Sequence, residues 1–130
     1  MIEFYLDQKS GVTPYLQLVQ QVRRSIKLGL LHDGDQLPTV KDVVGKITIN
    51  PNTVSKAYRE LEHQGLVVAR TGVGTFVNVA PSEGPPATLR PLQRDLRRWI
   101  SRARDTGLDD ESIEALFIQS FRDADSVVAP

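Results

Sequence analysis

The sequence predicts a mostly α-helical fold with one small β-hairpin, laid out as a compact first domain followed by a two-helix tail. Three observations carry that expectation. Apolar residues recur at helical spacing in five separate stretches. Two β-rich runs, Leu66 to Arg70 and Thr75 to Val79, flank Thr71-Gly72-Val73-Gly74 and read as a hairpin with a glycine-bearing loop. A Pro-rich segment, Ala80 to Thr88, then separates the hairpin from the last two helical stretches. The expected boundaries are 1–79 for the first domain, 80–88 for the linker, 89–125 for the two-helix region and 126–130 for a disordered end.

Residues 2–6 are mostly apolar and predict a short strand or an extended arm, and Asp7 to Val12 a loop. Thr13 is placed to cap the first helix and Pro14 to open it. Tyr15, Leu18, Val19, Val22 and Ile26 follow the 3.6-residue period, and Gly29 ends the helix. Arg23, Arg24 and Lys27 complement the helix dipole near its C-terminus. His32 to Asp35 form a turn. Thr39 is the N-cap of the second helix, whose buried stripe is Val40, Val43, Val44 and Ile47. Four β-branched residues and Gly45 make a poor intrinsic helix, so tertiary packing has to hold it.

The third helix is the best marked. Asn50 is a good N-cap, and Pro51 fills the first helical position, where its missing N–H costs nothing. Ile49 and Val54 are spaced as a hydrophobic staple, and Gly65 supplies the stop. Val54, Ala57, Tyr58 and Leu61 form the apolar stripe. Helical phase puts Asn52, Lys56, Arg59 and His63 on the opposite side, with Glu60 and Glu62 toward the flanks. A face of amides, hydroxyls and cations with no central carboxylate suits a DNA major groove, where Asn pairs with adenine and Lys or Arg reaches guanine or phosphate. The plain alternative is a solvated surface helix.

Composition sets the wider limits. Lys+Arg and Asp+Glu number 16 each, so no global basicity announces nucleic acid. The charges are unevenly spread: residues 90–104 hold six Arg and one Asp, and residues 105–125 hold seven acids and one Arg. With no Cys there is neither a disulfide framework nor a thiolate metal site. His32 lies beside Asp33 and Asp35, but His63 is on another element, so neither metal nor cofactor is expected. No Ser/His/Asp or paired-carboxylate spacing supports an enzyme. No run resembles a leader or a membrane span, and a soluble cytoplasmic protein is the expectation.

Helix, strand-like turn, helix, helix and hairpin in that order make a winged helix-turn-helix. The run from Gly34 to Val77, GDQLPTVKDVVGKITINPNTVSKAYRELEHQGLVVARTGVGTFV, closely resembles the DNA-binding domain of GntR-type bacterial transcription regulators. The likeness rests on the LP-[ST]-V-x-[DE] segment, the N-x-TV-x-x-AY-x-x-LE helix, the G-x-GT-[FY]-V wing, and upstream Thr13-Pro14-Tyr15 and Gly29. It spans about residues 1–79. The family usually has Arg where this chain has Lys41, which keeps the charge but loses the planar fork.

The resemblance implies double-stranded DNA as partner and Lys41, Asn50, Asn52, Thr53, Lys56, Thr71 and Gly72 as contacts. The hairpin reading adds Arg70 and Gly74 along phosphates or the minor groove. Arg59 and His63 lie further along the helix and are expected at the backbone, because the N-terminal part of a recognition helix goes deepest.

The tail carries two more stripes. Leu89, Leu92, Leu96, Trp99, Ile100 and Ala103 form one, ended by Gly107; after Leu108 and Asp109, Ile113, Leu116, Phe117, Phe121 and Ala124 form the other. Two such helices cannot bury both stripes in a hairpin alone, so they either fold back on the first domain or pair with a second copy; the long linker and the aromatic stripes favour a second copy against Leu92, Leu96, Trp99, Ile100, Ile113, Leu116, Phe117 and Phe121. A short two-helix tail resembles the YtrA-type subfamily, which implies a homodimeric repressor, often encoded with transporters. Such a tail leaves little room for a buried ligand pocket of about 300 Å³, and the sequence names no small-molecule effector. The competing reading is a winged-helix protein-interaction module that does not bind DNA, favoured by the zero net charge.

Overall fold

A computed structural model describes residues 1–81 and 84–127 of the chain. The linker positions 82–83 and residues 128–130 of the expected disordered end lie outside the described residues. The elements in order are α1 (Pro14–Lys27), α2 (Val40–Lys46), α3 (Pro51–His63), β1 (Val67–Arg70), β2 (Gly74–Val77), α4 (Leu89–Asp105) and α5 (Asp110–Val127). They fall into two compact units, Met1–Pro86 and Ala87–Pro130.

The first unit is built on α3. Its Val54, Ala57 and Leu61 have no exposed surface and pack with Leu18, Val19 and Val22 of α1 and with Leu37, Val43, Val67 and Val77. Burying a Val or Leu side chain fully is worth about 1.5–3 kcal/mol, so this one stripe fixes α3 against every other element of the unit. Tyr58 adds a directed bond: its hydroxyl donates to the Pro38 carbonyl at 2.6 Å, and its ring lies 6.4 Å from that of Phe4. Gly65 (φ +78) stops α3 by a left-handed turn in which Leu66 N–H donates to the Leu61 carbonyl at 3.0 Å.

β1 and β2 pair antiparallel in the register Val67↔Val77 to Arg70↔Gly74. A third segment, not read as a strand from sequence, runs along β2: Gly34 N–H donates to Val77 O, Val77 N–H to Asp35 O and Leu37 N–H to Thr75 O. The chain entering α2 is thereby stitched to the wing.

One detail differs from expectation. Thr13 stands at the N-cap of α1 but makes no side-chain capping bond. Of the two forms expected for residues 2–6, the structure takes the extended arm, and two glutamines one turn apart hold it. Gln21 brackets Tyr5, donating to its carbonyl and accepting from its N–H; buried Gln17 accepts from Asp7 N–H and donates to the carbonyls of Asp7 and Val12. A side-chain amide here does what a neighbouring strand would do, which apolar periodicity cannot reveal.

In the second unit α4 and α5 form a helical hairpin. Ala103 and Ile113 are buried, and Trp99 and Phe117 rings lie 6.5 Å apart. Among the described residues no helix is long and apolar enough to cross a membrane.

Burial, with Asp42 as a lesser cause, pushes the Tyr58 hydroxyl far above its ordinary range. A raised acid pKa stabilises the fold below the unfolded value, about 10, and that contribution is lost as pH rises beyond it. Tyr58→Phe should therefore cost about 1–2 kcal/mol at neutral pH, by orphaning the Pro38 carbonyl, and should flatten the alkaline loss of stability. Urea unfolding of both proteins between pH 7 and 11 checks this.

Candidate nucleic-acid interface

The outward face of α3 follows from what the inward face buries. Asn52, Lys56, Arg59 and His63 are all exposed, and Thr53 is half-buried at the edge. Asn50 has two sides to its role. Its Oδ1 accepts the Asn52 N–H at 2.8 Å, which caps the helix, and its Nδ2 stays available as a donor at the helix entrance.

The flanking carboxylates are tied down. Glu62 Oε2 accepts the Ala69 N–H at 2.8 Å, binding α3 to the first wing strand, and Glu60 Oε1 accepts from Gln64 Nε2 at 3.0 Å. Sequence placed these acids at the flanks but gave no sign that one of them fastens the wing. Both acids are thereby held at the flanks, and the centre of the outer face carries Asn52, Lys56, Arg59 and His63 with no carboxylate among them.

α2 begins with a reciprocal capping box: Asp42 N–H donates to Thr39 Oγ1 at 3.0 Å and Thr39 N–H to Asp42 Oδ2 at 3.1 Å. Those bonds from Thr39, with Lys46 and Lys41 nearby, hold the Asp42 carboxyl below the usual carboxylate range. Lys41, the next residue back, is exposed.

The wing tip, Thr71-Gly72-Val73, is exposed, and Val73 N–H closes it onto the Arg70 carbonyl at 2.9 Å. Arg70 lies over the Phe76 ring at 5.1 Å, so its guanidinium is held beside the strand instead of swinging free. Gly74 has an internal reason to be glycine: its φ of +143° is a backbone conformation that residues with a side chain rarely adopt. The wing and Thr39 line one open groove of about 390 Å³, with Arg70 its only charged side chain.

Lys41 and Asn50 thus stand at the entrances of the two helices, Asn52, Thr53, Lys56 and Arg59 along α3, and Arg70, Thr71, Gly72 and Gly74 on the wing. Among the described residues no group of three or more His, Cys, Asp or Glu is placed to hold a metal ion. His32 is paired with Asp35 at 3.2 Å within its own turn.

The tail residues divide into two sets. Ile113 is buried and Trp99 and Ile100 are half-buried inside the helical hairpin, whereas Leu92, Leu96, Leu116, Phe117 and Phe121 remain exposed, Phe121 at 70%.

Residues 14–77 match the model of the gntR family of bacterial regulatory proteins. The chain is also 34% identical over 113 residues to the HTH-type transcriptional repressor YtrA of Bacillus subtilis (strain 168), an alignment covering 83% of this chain and 84% of that protein. The chain belongs to the GntR family. It is a DNA-binding transcription regulator with a winged helix-turn-helix, and it is YtrA-like: 113 aligned residues cannot fit within the 86 of the first unit, so the likeness runs on into the tail. Two solved structures share its fold. A transcriptional antiterminator from Listeria monocytogenes EGD-e superposes with a TM-score of 0.58 at 30% identity, covering 94% of this chain and 92% of that one. YtrA from Sulfolobus acidocaldarius, a GntR-family transcription factor, gives 0.54 at 25% identity, covering 75% and 96%.

The caps make a stability prediction. Asn50→Ala should cost about 1 kcal/mol, while Asn50→Asp, which caps as well, should cost far less; denaturant titration separates them. Because the Asp42 pKa is depressed, its contribution is present above the unfolded value and lost as pH falls through the folded one. Asp42→Ala should accordingly be less stable at neutral pH and show a shallower loss of stability below about pH 4.

Proposed function

We propose that this GntR-family regulator is a homodimeric repressor acting in the cytoplasm on a palindromic operator. Two copies of α3 enter successive major grooves, about 34 Å apart on one face of the duplex. The observation that carries the reading is the exposed face of Asn52, Lys56, Arg59 and His63, whose flanking acids Glu60 and Glu62 are engaged elsewhere.

Asn52 sits in the first turn of α3 and is assigned to base reading, where its amide matches the donor–acceptor pair of adenine. Thr53 and the neighbouring N–H groups are assigned to a phosphate, and Asn50 Nδ2 and Lys41 to the groove edge. Arg59 is assigned to the backbone. Arg70, Thr71, Gly72 and Gly74 are assigned to phosphates or the minor groove alongside. Wing and helix are bolted together through Glu62 and Ala69, so they reach the duplex as one rigid body.

Dimerisation is assigned to the open face of the helical hairpin, around Leu92, Leu96, Leu116, Phe117 and Phe121, with Trp99, Ile100 and Ile113 beneath. An apolar face of that kind on a 130-residue chain favours burial against a second copy. The Arg-rich α4 and the acidic α5 favour an antiparallel charge match between copies. Transporter genes are the proposed targets, as the likeness to YtrA-type regulators implies.

Selection of bound duplexes from a random pool should return an inverted repeat whose half-sites are about one helical turn apart. Asn52→Ala should weaken that operator by about 1–3 kcal/mol and relax base preference at one position per half-site. The pair Leu92→Glu and Phe121→Glu should give a monomer in sedimentation equilibrium and lose tight operator binding. A protein that keeps its dimer after both changes has its interface elsewhere.

A further inference from the structure

Lys56 does not stand free on the recognition face. Its Nζ lies 4.5 Å from the centroid of the Tyr15 ring, at the first turn of α1. No ion pair holds Lys56 among the described residues, so the aromatic ring is what its ammonium meets. Tyr15 is half-buried and packs against the core, which makes it a fixed platform; Lys56 is exposed. A Lys ammonium has three N–H donors, and a ring face leaves the remaining ones directed outward.

The direction of the displacement matters. On α3, Lys56 lies past His63 in phase, about 30° off the centre of the outward face, on the side away from Glu62. Its head is drawn sideways to the α1 edge of that face, while Glu62 bonds the opposite edge to the wing. A helix with its side chains is about 10–12 Å across and the major groove about 12 Å wide. Groups on the midline of such a helix meet base edges; groups pulled to its flank meet the strand of phosphates lining the groove. An ammonium is also a point charge suited to phosphate, without the planar fork that discriminates bases.

We propose that Tyr15 is a positioning residue for Lys56, holding its ammonium at the α1 flank so that the pair clasps a backbone phosphate and does not read a base. The proposal rests on the outer face of α3 being the DNA-facing surface. Tyr15 contributes by restricting a flexible four-carbon stem to one region before the duplex arrives, which lowers the ordering cost of binding.

The test is a double-mutant cycle on full-length protein, using the selected operator and a random-sequence duplex at several salt concentrations. Lys56→Ala should weaken both duplexes by the same factor and reduce the slope of log K against log salt by about 0.9. Tyr15→Leu should cost about three- to tenfold in the parent and nothing further in the Lys56→Ala background, whereas Tyr15→Phe should bind as the parent does. Any packing loss from Tyr15→Leu would be common to both backgrounds, so the difference between them isolates the Tyr15–Lys56 coupling. As a readout independent of that variant, the Lys56 ε-methylene protons of the unmodified chain should resonate upfield through the ring current of Tyr15.

Several results overturn the proposal. Tyr15→Leu costing as much without Lys56 as with it, or tightening binding, removes the positioning role, as does an unshifted Lys56 ε-methylene. Lys56→Ala relaxing base preference with an unchanged salt slope makes Lys56 a base reader. If Asn52→Ala and Lys56→Ala both leave binding untouched, the failure lies with the DNA-facing surface itself and Tyr15 has nothing to position.

Discussion

The seam where α3 meets α1 is the constraint from which the rest follows. Val54, Ala57 and Leu61 have no exposed surface, and neither Leu18 nor Val22 across from them has any. Ala57 lets the two helices approach closely, since a larger residue would need volume that a close-packed interior does not have. With that face committed to the core, helical phase turns Asn52, Lys56, Arg59 and His63 toward solvent. The recognition surface is what remains of α3 once the seam is closed.

Around the seam, hydrogen bonds hold the acids to the side, and amides and cations occupy the centre of the outer face. Asp42 is bonded to Thr39, Glu62 to the Ala69 N–H and Glu60 to Gln64. A chain of zero net charge can then set Lys56 and Arg59 toward the middle of one face with its acids to the side, and that local arrangement is what a phosphate backbone meets. The same bonds are mechanical. The capping box sets the start of α2, the Tyr58 hydroxyl fixes the Pro38 carbonyl just before it, and Glu62 joins α3 to β1. Each removes a freedom that the elements would otherwise have relative to one another.

The second unit stands in contrast. Its hairpin buries Ala103 and Ile113 and leaves a run of large apolar side chains in solvent. The first unit completes its core by itself, whereas two helices have too little interior to do so. Similarity to YtrA across both units agrees with a tail that is part of the same design.

The sequence by itself determined the helices, the hairpin and the two faces of α3. Those properties are local: periodicity, caps such as Asn50-Pro51 and the glycine stops act over a few residues and are written in order along the chain. Tertiary structure alone decided which long polar side chains are spent holding the fold. Gln17 and Gln21 take the N-terminal arm, Gln36 and the Asp35 carbonyl take the wing, Glu62 joins wing to helix, and Tyr15 takes the Lys56 ammonium. Their partners lie far from helical spacing or on other elements, and a flexible polar side chain has no period to betray its target. Only the packed fold brings donor and acceptor within reach.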